Sequence, residues 1–419
     1  MSTVQPPVIV VPGITATSLE DVYPVDPEEI WTAILKKEYE RISLHPDNVR
    51  YEAREPARVL PRTLFGIVYE DLILALRHDL SAHADRPTPV FAFPYDWRQD
   101  CRRSAEQLGA FVEEVLDRTR LVQHYQGSKV ERVDLVGHSI GGLVIGGFLS
   151  GPSAKGRVRR VVTIGTPFRG AIDAVLKIAT GMGTLTGENP RDREREAART
   201  IPAIYQLLPS FKEAVIAPDG FSKDLFDART WQASVLDTLR EYVRLHGARI
   251  EAETLFGNYL QAAREFRRVL DDPRLPDVLQ EGKDGWLPIV GLNSPTQVEV
   301  RIVGARDKPR FQFIESQDDY ESRGVNTGDG TVPFLGACPS FLERERLACV
   351  IPDDFSFWEF KDRTLAKAAG FHGALPTVNL VQRLVLHFLR DDYRGDVWAR
   401  PAPQVERTRW PRWLEPPGK

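Results

Sequence analysis

With 419 residues, 42% of them hydrophobic, the chain can build a large core, as one enlarged domain or as two. A net charge of −4 with 27% charged residues gives no basic bias toward nucleic acid or strong attraction to anionic membranes. The 3 cysteines, Cys101, Cys338 and Cys349, are too few for a disulfide framework; reduced thiols are expected, with a Cys338–Cys349 pair as the alternative. No apolar run approaches the roughly 20 residues of a membrane span. The first apolar strand begins at Val8, which leaves no room for a signal peptide, so a cytoplasmic location is expected for the chain as given.

Val8–Val11 is a β-branched run ending in Pro12-Gly13, a buried parallel strand that feeds a loop over residues 14–20. Asp26-Pro27-Glu28-Glu29 has the marks of a helix start: an N-cap Asp, Pro at the first helical position and Glu three after the cap. Ile30, Trp31, Ile34, Leu35 and Tyr39 continue at helical spacing, with Trp31 facing either the core or a cleft. Residues 44–61 are polar and irregular, and residues 67–80 read as an amphipathic helix. Residues 89–93 read as a strand that runs into Pro94-Tyr95-Asp96-Trp97-Arg98, where Asp96 and Arg98 are expected to pair and stiffen a wall. Residues 104–121 form a helix, 130–136 a strand, and an apolar helix follows (Leu143, Val144, Ile145, Phe148, Leu149).

After a strand over residues 158–167 the α/β alternation lapses. Residues 172–189 are rich in small side chains, and the mixed-charge run 191–200 reads as a solvated helix face. Helices are expected over 231–245 and 251–270, so the region reads as a helical insertion over a site. Tyr205, Leu207, Leu208, Phe211 and Trp231 either line a pocket there or hold the insertion together. The alternating residues 298–304 are expected to resume the sheet, 347–351 to be its last strand, and 374–389 to close the chain as a helix. The Pro- and Arg-rich tail with Trp410-Pro411-Arg412-Trp413 reads as loosely docked, with contact at a membrane interface as the alternative. The expected divisions are 1–174 and 291–395 for the core, 175–290 for the helical cap and 396–419 for the tail.

The chemistry concentrates at Gly137-His138-Ser139-Ile140-Gly141, between the strand and the apolar helix. Gly-x-Ser-x-Gly in that setting is the nucleophile elbow of α/β-hydrolases; a glycine-rich turn with an ordinary serine is the alternative. The strained turn lifts the serine hydroxyl clear, and the helix points its positive end at a developing oxyanion. A serine nucleophile needs a histidine and an orienting carboxylate, in this fold in the order Ser, acid, His. Asp329, between glycines in Asn326-Thr327-Gly328-Asp329-Gly330-Thr331-Val332, is the expected acid, ahead of Asp318, Asp319, Asp353 and Asp354. His372, in Gly370-Phe371-His372-Gly373 before the closing helix, is the expected base. His138 is expected to point away from the serine, and His45, His78, His83, His124 and His246 fall out of order. The backbone N–H of Ile14, after Pro12-Gly13, is a candidate second oxyanion donor, with a plain turn an equal reading; Ile140 supplies the first. Metal and nucleotide signatures are absent from the sequence, so no metal or other cofactor is expected. The fold class is therefore α/β: a mostly parallel central sheet flanked by helices, with a helical cap insertion.

Taken together, Val10-Val11-Pro12-Gly13, Tyr95-Asp96-Trp97-Arg98, the elbow, Thr163-Ile164-Gly165-Thr166-Pro167-Phe168, Tyr205-Gln206-Leu207-Leu208-Pro209 and Gly328-Asp329-Gly330-Thr331-Val332 resemble the lecithin:cholesterol acyltransferase family. That family includes lysosomal phospholipase A2 and phospholipid:diacylglycerol acyltransferases. The resemblance runs over residues 8–390; Tyr-Asp-Trp-Arg with Gly-Asp-Gly-Thr-Val is its most specific part. It implies a serine acyl-enzyme acting on lipid esters, with Ser139, Asp329 and His372 as triad and Ile14 and Ile140 as oxyanion donors. It also implies a lipid or ester substrate, met by transient contact with a membrane surface. The chain departs from secreted relatives in lacking a cysteine pair after the first strand. A carboxylesterase for small soluble esters and a non-catalytic binding protein of the same fold are the competing readings.

Overall fold

A computed structural model describes residues 4–22, 26–32, 36–37, 39–47, 59–81, 83–181, 192–305, 308–355, 359, 370–390, 397–406 and 408. Ile34, Leu35, Trp410, Pro411, Arg412 and Trp413 lie outside the described residues. In chain order the first half runs β1 (Val8–Val11), β2 (Thr17–Asp21), β3 (Glu28–Thr32), β4 (Lys36–Lys37), β5 (Val59–Leu64), α1 (Gly66–Asp79), β6 (Val90–Ala92), α2 (Cys101–Arg120), β7 (Val133–His138), α3 (Ile140–Leu149) and β8 (Val158–Ile164). The second half runs α4 (Ile172–Thr180), α5 (Asp192–Thr200), β9 (Val215–Ile216), α6 (Ala233–Leu245), α7 (Ala252–Leu270), β10 (Trp286–Gly291), β11 (Gln297–Ala305), β12 (Lys308–Glu315), β13 (Ala348–Val350) and α8 (Asn379–Arg390).

The central sheet has six parallel strands in the order β13-β10-β8-β7-β1-β6. β1, β7 and β10 are buried at every residue, as strands covered on both faces must be, and their near-continuous apolar runs follow from that. α1 and α8 pack on one face with Val8, Val10, Val136 and Val162. On the other face α2, α3 and α7 join Ile9, Val11, Leu135 and Val161 in one core. Among the described residues no helix is long and apolar enough to cross a membrane.

Six expectations are corrected. Residues 28–32 form a strand, not a helix. β3 pairs antiparallel with β2, and the Trp31 indole donates to the Thr15 carbonyl (3.0 Å) while its ring meets Trp97 at 5.1 Å. These tertiary contacts outweigh the local helix-start signal. Residues 17–20, expected as loop, lie in β2, which both β3 and β5 join in a four-stranded antiparallel sheet.

The alternating run 298–304 does not resume the central sheet. It lies in β11, in a separate three-stranded sheet with β12 and β9, and only Val300 and Ile302 along that run are fully buried. The strand that does return is β10, so residues 286–290 leave the expected cap and join the core sheet. Its Pro288 has no N–H to give a ladder, which is tolerated because the ladder to β13 begins only at Ile289.

The charged helix α5 is not solvated: Glu194, Glu196, Arg199 and Thr200 are buried. Arg199 donates to the carbonyls of Ile178 (2.9 Å), Ala179 (2.8 Å) and Ser234 (2.8 Å), closing the C-terminal end of α4. The tail is not loose over residues 397–405. Val397, Ala399, Ala402 and Val405 are buried, and Arg400 bridges Cys349 through its backbone and Asp354 through its side chain (2.5 Å).

Residues of the expected cap share the core under the sheet. On α3, Gly146 leaves room for Leu270 of α7 and Gly147 for Phe266. Tyr205, Leu208, Phe211 and Trp231 are buried in this core, so packing is what the structure shows for them. All three cysteines are buried free thiols, and burial pushes the Cys338 thiol up to about 12.

Asp96 and Arg98 form a bidentate pair, both nitrogen–oxygen distances 2.8 Å, and the guanidinium also reaches the Ile42 carbonyl. Because Arg98 is fully buried, Arg98→Met strands a carboxylate in the interior. Urea denaturation should show a loss of about 3 kcal/mol for that variant.

Candidate active site

Ser139 lies between the last residue of β7 and the first of α3, with φ 54° and ψ −130°, a region non-glycine residues avoid. Its N–H donates to the Ile164 carbonyl (2.8 Å), and its own carbonyl accepts from Gly142 N–H (3.1 Å). The flanking glycines are demanded by contact. A Cβ on Gly141 would fall 2.3 Å from the Val11 carbonyl oxygen, and one on Gly137 2.9 Å from the Gly142 nitrogen. The elbow can thus be this tight only where those side chains are missing.

His372 meets this serine from beyond the chain's last central strand. Its Nε2 is 2.9 Å from Ser139 Oγ, and its Nδ1 is 2.7 Å from Asp329 Oδ2. A carboxylate accepts only, so Nδ1 carries the proton and Nε2 is left to accept from the serine hydroxyl. Asp329 is itself fixed: Oδ1 accepts from the N–H groups of Thr331 (3.0 Å) and Val332 (2.7 Å), and its carbonyl accepts from His372 N–H (2.8 Å). All three side chains are buried. The other acids considered, Asp318, Asp319, Asp353 and Asp354, stay out of this chain of contacts; Asp318 and Asp319 serve local turns, and Asp354 pairs with Arg400.

The loop after β1 lies against the serine. A Cβ on Gly13 would be 3.1 Å from Ser139 Cβ, which puts the Gly13–Ile14 segment beside the nucleophile. Ile140 opens α3, so its N–H has no carbonyl four residues back and is available to a ligand. The loop is clasped by aromatic donors and one aromatic acceptor. Tyr95 Oη donates to the Pro12 carbonyl (2.9 Å), Trp31 to Thr15 and Trp97 to Thr17 (3.1 Å), while Tyr69 Oη accepts from Gly13 N–H (2.9 Å). Asp96 and Arg98 pair as expected, and the segment they stiffen holds this loop through Tyr95 and Trp97. Tyr69 was not found from the sequence, since nothing around it marks an inward tyrosine beyond its place on α1.

His138 does turn away from the serine hydroxyl. Its Nδ1 meets Tyr69 Oη at 2.7 Å and its Nε2 the His372 carbonyl at 3.0 Å. Burial first, then the charge of His372, pushes His138 down to about 3. The unfolded chain therefore takes up this proton below about pH 6.5 and the folded chain does not. The stability contributed is present above that value and lost as pH falls toward 3. Denaturation measured at pH 6 and pH 4 should lose about 1 kcal/mol per pH unit more in the wild type than in His138→Gln.

Gly165, at φ 56°, closes the far side: a Cβ there would lie 3.1 Å from Asp329 Oδ2 and 3.2 Å from His372 Nδ1. Gly165→Ala should lower kcat about 10-fold or more by prising that hydrogen bond apart, checked by steady-state kinetics beside a thermal melt.

A parallel sheet carrying a serine elbow, with an acid and a histidine on later segments of the chain, defines an α/β-hydrolase fold. Residues 78–261 match the lecithin:cholesterol acyltransferase family model, which bears out the resemblance read from the sequence. The chain is 26% identical over 278 residues to the Phospholipase A(1) LCAT3 of Arabidopsis thaliana, a match covering 60% of this chain and 58% of that relative. The chain thus aligns with less than two thirds of that relative's length. Among solved structures, a chain in the crystal structure of the Tle4-Tli4 complex shares the fold at a TM-score of 0.65 and 13% identity, covering 93% of this chain and 99% of that one.

Proposed function

We propose that this protein is a serine-dependent lipid acyl-ester hydrolase or O-acyltransferase that works through an acyl-enzyme. The observation that carries the reading is the continuous hydrogen-bond chain from Ser139 Oγ through His372 to Asp329, itself held by two backbone N–H groups. His372 Nε2 takes the hydroxyl proton as Ser139 Oγ attacks the ester carbonyl. The carbonyl oxygen becomes an oxyanion received by the N–H groups of Ile14 and Ile140. Asp329 holds the imidazolium; His372 then gives its proton to the departing alcohol, and the acyl group stays on Ser139. Water or a second alcohol, deprotonated by the same imidazole, removes it. The family match and the phospholipase relative support a lipid ester as substrate, reached by transient contact with a lipid surface.

A fluorophosphonate probe should label the wild type and leave Ser139→Ala unlabelled; equal labelling sinks the assignment. Asp329→Asn should lower kcat by about 10³–10⁴-fold at nearly unchanged KM, read with an aryl ester. A chain-length series of such esters should rise beyond butyrate. A maximum at acetate or butyrate overturns the lipid reading and favours a small-ester carboxylesterase.

A further inference from the structure

Two buried side chains connect parts of the site that the mechanism uses separately. Tyr69 projects from α1, and His138 precedes the nucleophile. Between them runs a single hydrogen-bond chain: Gly13 N–H to Tyr69 Oη (2.9 Å), Tyr69 Oη to His138 Nδ1 (2.7 Å), His138 Nε2 to the His372 carbonyl (3.0 Å). Its proton positions follow from its ends. A carbonyl only accepts, so His138 Nε2 must carry the proton; Nδ1 then accepts, and Tyr69 supplies O–H. The Tyr69 oxygen is left to accept from Gly13. Every bond points the same way, and no polar atom in the chain is idle.

One end of the chain is the peptide next to Ile14, the proposed oxyanion donor. The other end is the backbone of the general base. The His138 and His372 rings lie 5.2 Å apart at a 34° tilt, so a positive charge at His138 would oppose the imidazolium formed on His372 during attack. Burial keeps His138 neutral. We propose that Tyr69 and His138 are positioning residues that fix the separation between the oxyanion amide and the general base, so both respond to the substrate carbonyl as one unit. The inference rests on the reading of Ser139 as an acyl nucleophile. A space-filling role alone predicts that any side chain of similar shape would serve.

The full chain is assayed with an aryl ester as wild type, Tyr69→Phe, His138→Leu and His138→Gln. Tyr69→Phe keeps the ring and removes only the hydroxyl; His138→Gln keeps an N–H for the His372 carbonyl. Tyr69→Phe and His138→Leu should lower kcat about 10–100-fold with KM within about twofold, and His138→Gln should recover about 10-fold over His138→Leu. Tyr69→Phe within about twofold of an active wild type, or His138→Gln no better than His138→Leu, overturns the proposal. A fluorophosphonate label kept by Ser139→Ala, or a wild type that cleaves no ester, instead defeats the underlying reading. A readout free of activity and of variant folding is ¹⁵N NMR of histidine-labelled wild type, with His138 assigned by its absence from His138→Gln or, failing that, by its contact with Tyr69. A neutral Nε2–H tautomer at neutral pH is expected, and a charged ring or the Nδ1–H tautomer overturns the inference.

Discussion

The site depends on holding Ser139 in a backbone conformation that a side chain normally rejects, at a cost of order 1–3 kcal/mol. A free loop would relax out of it. Here the residue is pinned on both sides, by its N–H on the Ile164 carbonyl and by the turn to Gly142. The strand before it and the helix after it are buried almost throughout, so neither can move to relieve the strain. The glycines beside it are the second half of the same constraint, because α3 reaches the loop after β1 only where no Cβ stands between them.

The loop that receives this helix is rigid for a different reason. Residues 12–16 form no regular structure before β2, yet the carbonyls of Pro12, Thr15 and Thr17 are taken by Tyr95, Trp31 and Trp97 from two separate segments. The small antiparallel sheet has its meaning here: pairing β3 to β2 brings Trp31 over the loop. Donors already aligned before a charge develops stabilise it without reorganisation, which is the main electrostatic advantage a folded site has over water.

The sequence made most of the central sheet legible through its apolar runs. β1, β7 and β8 read directly as apolar runs, and the order of elbow, acid loop and histidine followed from fold logic; the structure brings Ser139, Asp329 and His372 into contact. What failed was local signal set against remote contact. Asp26-Pro27-Glu28-Glu29 is a sound helix start in isolation, but Trp31 finds partners far along the chain. β10 lay inside the stretch read as helical cap, and the cleaner alternation of β11 belonged to a half-exposed hairpin. The charges of α5 looked solvated because no sequence pattern announces that Arg199 will close the end of another helix. Tyr69 and the turned-away His138 show the same limit within the site, since their roles exist only through residues distant in sequence.

Arg199 and Arg267 hold the helical insertion in place by similar means. Arg267, on α7, donates to the carbonyls of Phe168, Gln206 (2.8 Å) and Leu208 (3.4 Å), as Arg199 does to those at the end of α4. Burial lowers both guanidinium groups only to about 10, and a backbone carbonyl does not titrate. These fastenings therefore keep their strength in acid, where the buried neutral His138 costs the fold stability. The insertion is thus fastened by donors that stay charged through the pH range in which His138 takes up a proton on unfolding.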